Sequence, residues 1–200
     1  GVKINEVLWN AATDSEVYIE LYNPRSYTID ISNYTLVDPE TLNSYSFPSG
    51  TGLGRKEFIL FHPQKGTNYT DTFGIRHFYA STAWDIGGKG STDDSGAIEL
   101  FMGTSLGIDT LVDFVTWSNN GTIGDATWDD TAVNATIWTA GNAIDVVSGS
   151  ANRDRPLIRT YDGVDSDGVT ATEWSQIGAD SSFLAGITNN AGAGPALAAV

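Results

Sequence analysis

The acidic run Asp162-Gly163-Val164-Asp165-Ser166-Asp167-Gly168 is the densest set of oxygen ligands in the chain. Calcium takes several oxygens on a flexible, glycine-containing loop, and Asp162, Asp165 and Asp167 with a neighbouring carbonyl have the chemistry to wrap it. The spacing only half matches a twelve-residue helix–loop–helix site and the surrounding text is β. A solvated turn whose Asp side chains cap backbone amides is therefore the competing expectation. Asp93-Asp94, and Asp125 with Asp129-Asp130, repeat the pattern more weakly. His62 and His77, 15 residues apart, are the only histidines, and there is no cysteine. Disulfides, thiolate metal sites and a cysteine nucleophile are excluded at once. No G-x-S-x-G elbow marks a serine nucleophile, and His62, preceding Pro63 at a strand end, reads as a loop residue. A glycosidase needs only two carboxylates at a set distance, which a sequence does not display. No catalytic residue is assigned and no enzyme is expected.

Two further residue sets point outward. Asn33, Asn68, Asn120 and Asn134 each open an N-x-S/T triplet with a permitted middle residue, the acceptor pattern for glycan in a secretory context. Six tryptophans are many for this length. Trp9, Trp117 and Trp174 lie in strand text and are expected in the core. Trp84, Trp128 and Trp138 stand beside Asp and Thr, where exposed rings would stack on sugars or anchor a partner; packing onto the domain is the competing expectation.

The elements that must position these residues are strands. With 18 Asp against 7 Glu, 22 Gly and abundant Thr and Tyr, the composition is that of an all-β chain with many turns. Helical windows are hard to find. Strands are expected over 2–9, 16–22, 27–31, 34–38, 45–47, 57–61, 97–102, 110–117, 156–161 and 174–177. Over 16–22 Val17, Ile19 and Leu21 share one face, Tyr18, Glu20 and Tyr22 the other. The region 62–95 reads mostly as loop. Short strands at such turn spacings indicate a sandwich. Two hundred residues suffice for a large core, and no apolar run approaches the ~18 residues of a transmembrane helix. A net charge of -15 would repel nucleic acid.

Ile4-Asn5-Glu6-Val7, Glu16–Asn23 (EVYIELYN) and Ile29–Leu36 (IDISNYTL), taken in order, resemble the lamin tail domain family. Phe47-Pro48, Thr51-Gly52-Leu53, Glu57–Leu60, Phe73-Gly74, Gly96–Leu100 and Val112–Val115 continue the match, and Ala151-Asn152-Arg153, Asp162-Gly163 and Glu173-Trp174-Ser175 close it more loosely. The resemblance covers about residues 2–117 and 150–178, with departures at about 76–92 and 118–149. It implies an immunoglobulin-like β-sandwich over residues 1–184 and a family without enzymatic activity, acting as a structural or interaction module.

The Gly/Ala-rich segment 185–200 is short of large side chains, and an extended segment of that kind can add to an open sheet edge by backbone hydrogen bonds. Pro195, Leu197 and Val200 are its expected contact residues. The start, Gly1-Val2-Lys3-Ile4 without Met, is that expected of a cleaved, exported protein. Absence of cysteine fits a prokaryotic surface protein, archaea included, better than a small animal secreted domain. The expected function is a secreted subunit of an extracellular filament or surface layer, polymerising with itself and stabilised by Ca2+. The alternative is an adhesion module for polysaccharide or protein.

Overall fold

The computed structural model describes residues 1–11, 16–86, 94–125, 127–147, 154–165 and 173–177. Fourteen strands, one helical turn and one 3-10 turn lie among them. The strands β1 (Lys3–Leu8), β2 (Tyr18–Tyr22), β3 (Ile29–Asp30), β4 (Thr35–Val37), β5 (Ser44–Ser46) and β6 (Gly52–Leu53) come first. Next are β7 (Phe58–Lys65), β8 (Tyr69–Thr70), β9 (Arg76–Ala80), β10 (Gly96–Phe101) and β11 (Leu111–Ser118). After α1 (Asp130–Asn134) come β12 (Ile144–Asp145), β13 (Leu157–Arg159) and β14 (Trp174–Gln176). A seven-stranded sheet runs β14-β13-β1-β2-β7-β9-β8 and a five-stranded sheet runs β12-β11-β10-β4-β5. β3 and β6 pair as a separate two-stranded sheet.

Alternation along each strand builds the core between the two sheets. Val7, Ile19, Leu21, Ile59 and Phe61 face inward from the larger sheet; Leu36, Ile98, Leu100, Val115 and Trp117 do so from the smaller, and all are fully buried. Burying each such side chain contributes about 1.5–3 kcal/mol. The Trp9 ring lies 4.9 Å from Trp117, and Tyr45 lies 4.6 Å from Phe61, stitching the sheets together. Trp9, Trp117 and Trp174 are buried as expected.

The outer faces are covered as well, where alternation would expose one face. Tyr18, Glu20 and Tyr22, opposite the core side of β2, are all buried. On the smaller sheet, part of segment 118–147 lies over the outer face: Trp138 packs edge-on against Phe114 at 5.1 Å, and Thr131 of α1 hydrogen-bonds Glu99. The expectation of loop over 62–95 is corrected by β8 and β9. Pro63 lies inside β7, where the register to β9 shifts between His62 and Lys65; this irregularity is what lets a proline stay in the strand. β9 pairs parallel with β7, and β8 supplies the antiparallel return on its far side.

Candidate interaction surface

Asp162 and Asp165, two of the three expected calcium ligands, face protein partners, and Asp167 lies outside the described residues. Asn5 donates to Asp162 Oδ1 at 3.0 Å, and its own Oδ1 accepts the Gly163 amide at 3.0 Å. Lys3 donates to Asp165, and the Arg159 guanidinium stands 3.5 Å from its other oxygen. A carboxylate between two cations is already compensated. Among the described residues no group of three His, Asp or Glu side chains is arranged to hold a metal ion. Asp125 accepts from Thr127 and Asp129 from the Gly141 amide, as capping aspartates do, and Asp94 is buried.

Gly163 shows why this loop sits so close to β2. Its φ is +63°, and a Cβ there would lie 2.8 Å from Pro24 Cβ and 2.9 Å from Tyr22 Cδ1. Gly74 has φ +87° with open space around it. Gly74→Ala is expected to cost roughly 1 kcal/mol for the left-handed backbone alone, and Gly163→Ala roughly 2–3 kcal/mol because the clash adds to it. Urea unfolding of the two variants measures the difference; equal losses would show that the loop is free to move off β2.

The histidines form a buried pair inside the larger sheet, correcting the loop assignment of His62. His62 Nδ1 bonds the Val17 carbonyl at 3.0 Å, and its Nε2 lies 2.9 Å from His77 Nδ1. A carbonyl only accepts, so His62 carries its proton on Nδ1 and accepts from His77 through Nε2. Burial, with His77 adding repulsion, lowers the His62 pKa to about 4 and keeps it neutral. Tyr79 and Tyr69 stack on the two rings at 4.5 and 4.3 Å. Among the described residues no serine or threonine hydroxyl bonds either imidazole, and His77 Nε2 faces Asp71 at 3.6 Å. The arrangement is a packed stack.

Trp84 and Trp138, expected as exposed anchors, are buried, and Trp128 is half-buried. Trp84 packs 4.9 Å from Phe61, and the Trp138 indole N–H donates to the Asn142 carbonyl at 2.9 Å. The covered rings of Trp84 and Trp138 attach their segments to the sandwich. The expected contacts Pro195, Leu197 and Val200 lie outside the described residues. Asn33, Asn68, Asn120 and Asn134 are all exposed.

What remains at the surface is organised by strand edges and by the two ends of the sandwich. β5 ends the smaller sheet with Ser44 and Ser46 exposed. Asn23, in the sequence only the end of the segment EVYIELYN, is fully buried and clamps two loops. Its side-chain amide donates to the carbonyls of Tyr27, Leu53 and Gly54 at 2.8–2.9 Å, and its Oδ1 accepts the Arg25 amide. Exposed Arg25, Tyr27, Arg55 and Lys56 thereby share one end of the molecule. The sequence signal was the triplet Asn23-Pro24-Arg25 ahead of a second basic pair thirty residues on.

No curated protein matches the chain. The Lamin Tail Domain family model matches residues 1–185, spanning both stretches that depart from the compact pattern as well as the strands that carry it. With two packed sheets in the immunoglobulin-like manner and a match over nearly the whole chain, the chain belongs to the lamin tail domain family.

Proposed function

We propose that the chain is an extracellular, non-enzymatic structural subunit that polymerises by docking its C-terminal segment onto a neighbouring subunit. Membership of a non-catalytic, immunoglobulin-like family is the observation that supports a structural or interaction role. The short, exposed edge strand β5 supports it, because an edge presents unpaired backbone groups to which an extended segment can add. The residues of 185–200 are small enough for close backbone approach. Exposure of all four sequon asparagines supports glycosylation at the cell surface. In this reading calcium bridges carboxylates of adjacent subunits and not Asp165, which Lys3 and Arg159 already hold within its own chain.

Negative-stain electron microscopy of the full chain, with calcium and with chelator, and of a chain ending at Gly186, tests this. Filaments or sheets that vanish on truncation are expected, and chelation is expected to shorten them. A full-length protein that stays monomeric throughout refutes the reading and leaves adhesion to polysaccharide or protein, for which half-buried Trp128 would be the first residue to change.

A further inference from the structure

The exposed side chains at the two ends of β7 differ in charge. At its N-terminal end Tyr22 pairs with Phe58, and the loops that Asn23 clamps carry exposed Arg25, Arg55 and Lys56 beside exposed Tyr27. Phe73, 89% exposed, projects from the turn before β9 at the same end, where Arg76 Nη2 donates to Gly52 O. Three exposed cations gather here in a chain whose whole complement is 10 basic against 25 acidic residues. Among the described residues Asp30, paired with Gly52, is the exposed acid beside them; Glu57 is held by Arg76 at 3.1 Å, and Asp162, whose loop packs on Pro24, is half-buried and held by Asn5.

The other end of β7 is acidic. Trp84 N–H bonds the Pro63 carbonyl at 2.7 Å, which brings exposed Asp85 to this end. Asp85 lies close enough to Asp38 and Glu40 in the β4–β5 turn to raise both of their pKa values, after burial itself. Asp38 closes that turn, accepting from the Glu40 amide at 2.9 Å and from the Thr41 hydroxyl at 2.6 Å. At its tip Leu42 is 79% exposed with φ 58°. Among the described residues Lys65, the last residue of β7, is an exposed cation at this end. At ~3.3 Å per residue the eight residues of β7 separate the two ends by roughly 25 Å.

We propose that these ends are a complementary pair, the Arg25/Arg55/Lys56 end of one copy seating on the Glu40/Leu42/Asp85 end of the next. The inference rests on the self-assembly reading and names a surface for it. Cations with exposed Tyr27 and Phe73 at the same end meet carboxylates at the end that carries exposed Leu42, so charge sets the register and apolar contact excludes water. The two patches are different and lie at opposite ends. A contact between them is therefore heterologous and repeats from copy to copy, into an open filament unless the rotation closes a ring. It also gives a chain of net charge -15 a way to approach its own copy, through an end that carries three exposed cations.

Sedimentation velocity of the full chain across protein concentration and salt tests the pairing. Wild type is expected to self-associate, less so as salt rises. The variant R25E/R55E/K56E and the variant E40K/D85K are each expected to lose at least tenfold in association constant. Their equimolar mixture is expected to regain it, because every contact in an alternating polymer is then between opposite charges. Far-ultraviolet circular dichroism of each variant confirms that it is folded. Association untouched by either single-sided variant, or a mixture no better than its parts, overturns this pairing and leaves tail-mediated assembly standing. A wild type that is monomeric at every salt and concentration overturns both.

Discussion

The protein is expected to be more stable at pH 5 than at pH 8, by roughly 4 kcal/mol from three buried groups. Glu6 is fully buried, and burial raises its pKa to about 8 even though Tyr18 donates a hydrogen bond to it; the Asp162 carboxylate adds to the rise. Burial likewise raises Glu99 to about 7 against the hydrogen bond from Thr131. In the unfolded chain both lose their proton near pH 4.5, so the folded state holds protons the unfolded state has lost. Their contribution is complete below that pH and is lost as pH rises through about 7 and then about 8. His62 acts in the opposite sense: its lowered pKa means stability present above pH 6.5 and lost as pH falls toward about 4. From pH 5 to 8 the two glutamates outweigh it, and burial of Asp38 and Asp113 raises their pKa values and adds to the same trend. For a domain of this size the difference corresponds to on the order of 10 °C in Tm. Glu6→Gln keeps an acceptor for Tyr18 and removes the titration, so it is expected to be more stable than wild type at pH 8 and to flatten the slope by about one proton. Urea unfolding at half-unit pH steps measures this. A wild-type curve that rises from pH 5 to 8, or a Glu6→Gln curve parallel to it, overturns the assignment.

That acid-favoured stability was not legible in the residues before the fold was known, and the reason is general to this molecule. Alternation in EVYIELY identified β2 and its faces, but alternation says nothing of what covers the second face. Glu6 and Glu20 face each other across β1 and β2, and both are buried. The hairpin β10–β11 and strands β1, β4, β5 and β7 were readable because short apolar runs or alternations, such as the run FILF of β7, stand between turn residues. β9, with the text RHFYA, was not: its histidine, tyrosine and arginine look solvated until His62 is placed beside them. α1 is a single turn, too short to show any helical period. Trp84 and Trp138 look alike in sequence to exposed anchors, and only the covering of the outer and end surfaces distinguishes them. The basic end depends on Asn23 drawing residues 25 and 55 together, a non-local contact that no window of sequence contains.

Removing the Arg159 side chain is expected to be the most damaging single change, costing about 3–5 kcal/mol. The guanidinium is 1% exposed and lies between the sheets, where β13, β1 and β11 meet. Its Nη2 donates to both oxygens of Asp113 at 3.0 and 2.9 Å, Nε to the Ile4 carbonyl at 2.7 Å, and Nη1 to the Val164 carbonyl at 2.9 Å. The plane also stacks 4.6 Å over Trp174, tying in β14, with Glu173 at 3.8 Å. Asp113 is buried, and burial raises its pKa while Arg159 opposes the rise. In Arg159→Ala that carboxylate keeps the Ile4 amide at 2.7 Å but loses its bidentate partner, and it must then take up a proton or draw in water. Arg159→Lys keeps the charge and loses the fork, so it is expected to cost less than Arg159→Ala but to remain well below wild type. Since most of the loss is an uncompensated charge, Asp113→Ala combined with Arg159→Ala is expected to be less damaging than the sum of the two by at least about 2 kcal/mol. A double-mutant cycle by urea unfolding at pH 6 reads that coupling. Additive losses would show that Arg159 holds the sheets through its backbone carbonyls and Trp174, with the ion pair incidental.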